Sequence, residues 1–143
     1  DLLRAAGVAD AELFVLAIDD VDASLRTAEI LRSNFPKLKI FARARNRQHA
    51  FALMDLGIQN VVRETYHSSL VLSTQLLQAL GETEPRAESV VRRFRRHDEQ
   101  QLQAQYSVKD DEEKLVAAAR ESARQLEKLF ESDEVATPER EAV

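Results

Sequence analysis

Charged side chains gather where short apolar runs stop. Asp19 and Asp20 follow Leu13–Ile18; Arg43, Arg45 and Arg47 follow Leu38–Ala42; Arg63 and Glu64 follow Ile58–Val62. If the three runs are parallel strands, all three clusters emerge at the C-terminal edge of one sheet, where α/β proteins bind ligands. A carboxylate there can accept a ribose hydroxyl, or it can simply stop the strand and cap the following helix. Arginines at one edge suit bidentate capture of a carboxylate or phosphate. The alternative is a solvated rim of internal ion pairs, the Arg63–Glu64 neighbours included.

Nothing in the sequence assembles a catalytic constellation. His49, His67 and His97 lie far apart and have no convincing metal-ligand spacing, and Ser68 and Ser69 lack the glycines of a nucleophile elbow. Cysteine is absent, which removes disulfides, cysteinyl zinc and thiol nucleophiles together and fits a reducing compartment. The three glycines, Gly7, Gly57 and Gly81, form no phosphate-cradling loop, so a nucleotide fingerprint is expected outside this chain. Arg92, Arg93, Arg95, Arg96 and His97 form a basic run, but on a helix they point around more than half the circumference. A solvated face or a partner surface fits them better than one ligand.

The elements that position these groups follow from apolar spacing. Leu2–Ala6 reads as the end of a helix closed by Gly7. Leu13–Ile18 is a continuous apolar run that suits a strand buried on both faces of a parallel sheet. Asp20 or Asp22 caps a helix carrying Leu25, Ala28, Ile30 and Leu31, ended by Asn34 and Pro36. Leu38–Ala42 is the second strand. Asn46 caps a helix with Ala50, Phe51, Leu53, Met54 and Leu56, Gly57 closes it, and Ile58–Val62 is the third strand. The order argues for βαβ units in a parallel α/β sheet, and three strands are few for one, so the chain reads as part of something larger.

From Thr65 onward the pattern is helical. One helix carries Leu70, Val71, Thr74, Leu77 and Leu80 and stops at Gly81; the next opens at Glu84-Pro85 and runs to about Tyr106. A last segment from Asp110 sets Leu115, Ala119, Ser122, Leu126 and Leu129 in a heptad-like stripe. Residues 132–143 are acidic and aperiodic and read as a disordered tail. With 20 basic and 25 acidic residues in 143, the net charge of −5 argues against general nucleic-acid binding. No run approaches the roughly 20 apolar residues that span a bilayer, and the start lacks the pattern of a signal peptide.

Four segments, LFVLAIDD (Leu13–Asp20), IFARAR (Ile40–Arg45), GIQNVVRET (Gly57–Thr65) and VRRF (Val91–Phe94), stand in an order and spacing that resembles the cytosolic KTN/RCK (TrkA-N) regulatory domain of Kef-type glutathione-gated potassium efflux systems. The resemblance spans about residues 1–105. It implies the C-terminal half of a Rossmann-like sheet over 1–63, a crossover and dimerisation helix over 64–80 and a helical extension over 81–131. It implies a cytoplasmic domain of a bacterial inner-membrane transporter, joined to its membrane domain in the same full-length chain and gating K+/H+ antiport. The expected ligands are an adenine nucleotide, AMP or NAD(H), at the sheet edge beside Asp19 and Asp20, and glutathione or its bulky conjugates. Arg63 matches the arginine that binds the tripeptide in glutathione-responsive members, with Arg43 and Arg45 beside it at the edge. Arg95 stands where those members carry an asparagine ligand, so this position either serves the same carboxylate differently or favours another anion. An ancillary oxidoreductase is a further partner that some members recruit.

Two rivals share the fold: a general nucleotide-gated RCK domain of a potassium channel or uptake system, and a fragment of an NAD-dependent oxidoreductase. The second needs a catalytic residue beside the nicotinamide, and none is visible. The ARAR, VVRET and VRRF segments favour the efflux branch over the first.

Overall fold

The computed structural model describes residues 2–135, and in it the chain divides into two compact units, Asp1–Leu72 and Ser73–Val143. The division falls inside a helix, nine positions beyond the expected end of the sheet domain at residue 63.

The first unit begins with a short helix, α1 (Leu2–Ala5), and a 3-10 turn over Val8–Asp10. Between them Gly7 takes a φ of 74°, a left-handed conformation that glycine adopts without a Cβ penalty. Three strands follow, β1 (Leu13–Leu16), β2 (Lys39–Ala44) and β3 (Asn60–Arg63), all parallel and in the order β1-β2-β3. Helix α2 (Val21–Asn34) joins β1 to β2, and α3 (Arg47–Asp55) joins β2 to β3. The register sets Val15 beside Phe41, Phe41 beside Asn60, Arg43 beside Val62 and Ala44 beside Arg63.

One sheet face makes the core. Leu16, Ile40, Ala42 and Ala44 share a buried cluster with Ala28 and Leu31 of α2, Ala50 and Leu53 of α3, and Ile58. Each large aliphatic side chain removed from water there contributes about 1.5–3 kcal/mol. The other face stays open: Leu13, Val15, Phe41 and Val62 are 50%, 64%, 40% and 52% exposed. This corrects the expectation that the first apolar run is buried on both faces. Helices α2 and α3 pack on one side, and a continuous apolar run does not say which of its faces a helix will cover. Ile58 is fully buried although it precedes β3, and Ile30 is exposed because it falls off the Ala28–Leu31 stripe.

Two caps seat the helices of the sheet. Asp20 accepts the backbone N–H of Ala23 at 2.7 Å and Asn46 accepts that of His49 at 2.8 Å. At the opposite end Arg32 acts as a clasp. Its Nη2 donates to the Gly57 carbonyl at 2.9 Å and its Nη1 to that of Leu38 at 3.2 Å, tying the end of α2 to the turns that lead into β2 and β3.

Helix α4 (Tyr66–Ala79) starts two residues after β3, with the Thr65 carbonyl accepting the Ser69 N–H at 2.9 Å. Its inward line runs Tyr66, Leu70, Ser73, Thr74 and Leu77. Val71 and Leu80, expected on that line, are instead 60% and 80% exposed, and Leu72 and Leu76 are each 55% exposed. Leu72, Leu76 and Leu80 recur every four residues, so α4 and the turn residue that follows it carry a second apolar stripe turned to solvent.

In the second unit, α5 (Glu84–Ser107) packs on α6 (Glu112–Val135). Asp111 accepts the N–H of Lys114 at 3.1 Å to cap α6, and the Lys114 side chain holds its carboxyl below the usual range. The half-buried line of α6 is Leu115, Ala118, Ser122, Leu126 and Leu129; Ala118 takes the place expected of Ala119, which is exposed. Ser122 Oγ meets His97 Nε2 at 3.2 Å across the pair. Helix α6 continues to Val135, four residues into the stretch read as a tail, and the remainder of that stretch, 136–143, lies outside the described residues.

Candidate functional site

The C-terminal edge of the sheet gathers the charges. Arg43 stands on the open face of β2, and its Nη2 donates to the Asp19 carboxylate beyond β1 and, at 3.0 Å, to the Ala17 carbonyl. Its other terminal nitrogen lies 3.7 Å from Glu64 Oε1, just past β3. Arg45 reaches the same two segments, with Nη1 3.4 Å from the Asp19 carbonyl and Nε 3.8 Å from Glu64 Oε2. All three strand ends are thus joined by one network of two arginines and two carboxylates. Its members are exposed or half-exposed, so each ion pair in it is worth at most about 1 kcal/mol.

Beside the network lies an open depression of about 500 Å³, lined by Asp19, Asp20, Val21, Asp22, Arg45 and Asn46. The N-termini of α2 and α3 both face it, since their caps Asp20 and Asn46 are lining residues. The α2 end is already served by a carboxylate, whereas the α3 end carries a neutral amide cap next to Arg45. Hydroxyl donors therefore suit the aspartate side, and an anionic group suits Arg45 and the start of α3.

His49 holds this edge in shape. It is 1% exposed, and its Nδ1 accepts the backbone N–H of Arg45 at 3.2 Å while Nε2 lies 3.2 Å from Ser24 Oγ of α2. Burial pushes its pKa below the ordinary value. Ser24, also fully buried, and His49 thus link the two helices that flank the depression. In sequence His49 is set aside for want of a metal-ligand spacing, and Ser24 draws no notice. A polar Ser24 set one turn before Ala28 on the inward stripe was the available signal.

The expected site residues divide. Asp19, Arg43 and Arg45 come together, and Asp20 lines the depression while capping α2. Arg63 sits on the other side of the sheet edge: its register partner is Ala44, whose neighbour Arg43 points to the open face. The Arg63 guanidinium stacks on the Tyr66 ring, 3.8 Å from its centroid, at the first turn of α4. Glu64, taken as a neighbour for Arg63, instead faces Arg43 and Arg45. Arg95 belongs to the second unit, where its Nε donates to Glu99 one turn along α5 at 2.8 Å. Arg92 pairs with Glu88 in the same way, so acidic partners interleave with the basic run.

Comparisons with known proteins fall in two adjoining parts. Residues 1–64 match the TrkA-N domain, and residues 68–142 match the potassium efflux system KefB C-terminal domain. Among solved structures, the chain is similar to the Kef C-terminal domain of Shewanella denitrificans in its AMP-bound form. The two share 39% identity with a TM-score of 0.72, over 76% of this chain and 68% of that one. No helix among the described residues is long and apolar enough to cross a membrane.

Proposed function

The chain belongs to the potassium efflux system KefB C-terminal domain family and is a regulatory domain of such a system; on that premise we propose that it senses an adenine nucleotide and a glutathione-type anion from the cytosolic side of a bacterial inner membrane. The nucleotide reading rests on one observation above all: carboxylates, a guanidinium and two helix N-termini border a single depression at the sheet edge, and the similar Shewanella domain is described in an AMP-bound form. Asp19 and Asp20 are suited to ribose hydroxyls and Arg45 to a phosphate. The glycine-rich part of such a site is not in this sequence.

The second ligand is assigned to Arg63. The Arg63 guanidinium lies over the Tyr66 ring, and its planar fork is of the kind that holds a carboxylate by two bonds. Its contact with Tyr66, the first residue of α4, supports a gating role, because the outward stripe of Leu72 and Leu76 on that helix and Leu80 just past it suits a homodimer contact. A ligand at this junction biases the two subunits only as far as its affinities for their alternative arrangements differ, about 1.4 kcal/mol for each tenfold. The role is sensing, without catalysis, and the output goes to the transport domain of the same full-length chain. An ancillary oxidoreductase would add a further input.

The test is calorimetric titration of the full-length protein with glutathione and a bulky S-conjugate, beside conjugate-activated potassium efflux, for wild type and Arg63→Ala. Arg63-dependent binding of both, with efflux lost in the variant, is the expected result. Unchanged efflux in Arg63→Ala overturns the assignment. Binding of AMP with no binding of either glutathione or its conjugate selects the general nucleotide-gated reading, which the engagement of Arg95 with Glu99 favours.

A further inference from the structure

Arg43 and Arg45 look alike in sequence but are held differently. Arg43 is fixed by hydrogen bonds to a carbonyl and a carboxylate of the β1 end. Arg45 is half-exposed, lines the depression, and has Glu64 as its side-chain counter-ion at 3.8 Å. That separation, and the 3.7 Å from Glu64 to Arg43, exceed the roughly 2.7–2.9 Å of a charge-assisted hydrogen bond. The Glu64 carboxylate is therefore held by charge alone, while its backbone N–H donates to the Ala44 carbonyl at 2.8 Å.

We infer that Glu64 is an internal anion seated against Arg45 in competition with the anionic group of the ligand, so that binding at this edge displaces it. The inference rests on the nucleotide reading above and deepens it: it names Arg45 as the receiving cation and Glu64 as the residue that sets the affinity. Glu64 and Thr65 are the whole connection between β3 and α4. Displacing the Glu64 side chain therefore acts on the residue pair from which α4 starts, and gives ligand occupancy a physical route to that helix. The negative side chain also discriminates by charge, since only a ligand bearing an anion in this seat gains by replacing it.

The measurement is titration of the full-length protein with AMP for wild type, Glu64→Gln, Arg45→Gln and the double variant. Glu64→Gln keeps the shape and removes the charge. An exposed ion pair of this kind converts to an AMP affinity about three- to fivefold tighter in that variant. Arg45→Gln weakens binding, and in its background Glu64→Gln has no further effect, because the pair acts as a unit. Equal or weaker binding by Glu64→Gln overturns the inference, as does the same tightening in both backgrounds. If no variant binds AMP, the nucleotide reading falls separately. Inorganic pyrophosphate run through the same four proteins then decides on Glu64: tightening that depends on Arg45 upholds it, and its absence ends it.

Discussion

His49 Nδ1 accepts the backbone N–H of Arg45 at 3.2 Å, and this one bond fixes the ring's chemical state. A nitrogen that accepts an N–H carries no proton, so the proton sits on Nε2 and is donated to Ser24 Oγ. The neutral ring then spans from the arginine at the ligand edge to the first turn of α2.

Stability consequently falls on acidification. The unfolded chain titrates His49 near 6.5 and burial holds the folded value lower. Between those two values the unfolded state binds more protons, so stability rises with pH there. The contribution is complete above pH 6.5 and is lost as pH falls from 6.5 through the folded pKa, with a slope of at most about 1.4 kcal/mol per pH unit. Urea unfolding across pH 7.5 to 5 checks it: His49→Asn, which retains an acceptor for the Arg45 N–H, is expected to flatten the slope relative to wild type. Parallel curves would mean that His49 titrates alike in the folded and unfolded chain.

Removing either cap costs stability without moving the core. Asp20→Ala and Asn46→Ala each strip a side-chain acceptor from the first turn of a helix and are expected to cost about 1 kcal/mol, within 0.5–2. The two caps sit on different helices, so the double variant is expected to show the sum. Denaturant midpoints at constant m-value measure this.

Much of this architecture is legible from residue types. Asp20 and Asn46 announce helix starts, Gly7, Gly57 and Gly81 announce ends, and Pro85 opens α5, because each satisfies a local backbone requirement. Local chemistry says less about what lies opposite a residue. Val15 and Phe41 belong to strand-forming runs but face solvent, while Val71 of α4 and Leu80 just past it are exposed although they fall in the same apolar pattern as Leu70 and Leu77. Asp19 and Arg43 are 24 positions apart, and only the strand register explains their meeting. Arg43 and Arg45, two positions apart, meet the same Asp19 and Glu64, whereas Arg63, in register with Ala44, falls on the other side of the sheet edge, a division that only the strand register reveals.

Arg32 illustrates a stabilising role with no sequence signature. Arg32→Lys keeps the charge but loses the fork that serves the Leu38 and Gly57 carbonyls together. The expected cost is about 1–2 kcal/mol, reduced from the buried case because the Gly57 bond is exposed. AMP affinity is expected to stay at the wild-type value, since the clasp lies at the other end of the strands. A variant as stable as wild type would show that the clasp contributes nothing net.

The outward stripe of α4 predicts an assembly defect. Leu76→Glu puts a charge in the centre of Leu72, Leu76 and Leu80 and is expected to shift the 143-residue chain from dimer to monomer in sedimentation velocity. Its unfolding free energy is expected to change by no more than about 0.5 kcal/mol, the usual range for an exposed site. A monomeric wild type, or a dimer that survives the substitution, argues against this face as the contact.

Mechanical leverage follows from the brevity of the β3–α4 connection. Helix α4 has 14 residues, which at about 1.5 Å each make a rod some 21 Å long, so a tilt of about 10° at Tyr66 would carry Ala79 through roughly 3.6 Å. On the inference drawn for Glu64, a side-chain rearrangement there that tilts α4 would be geared up to a displacement of the size of a side chain. The short link would then convert a change in charge partners into travel.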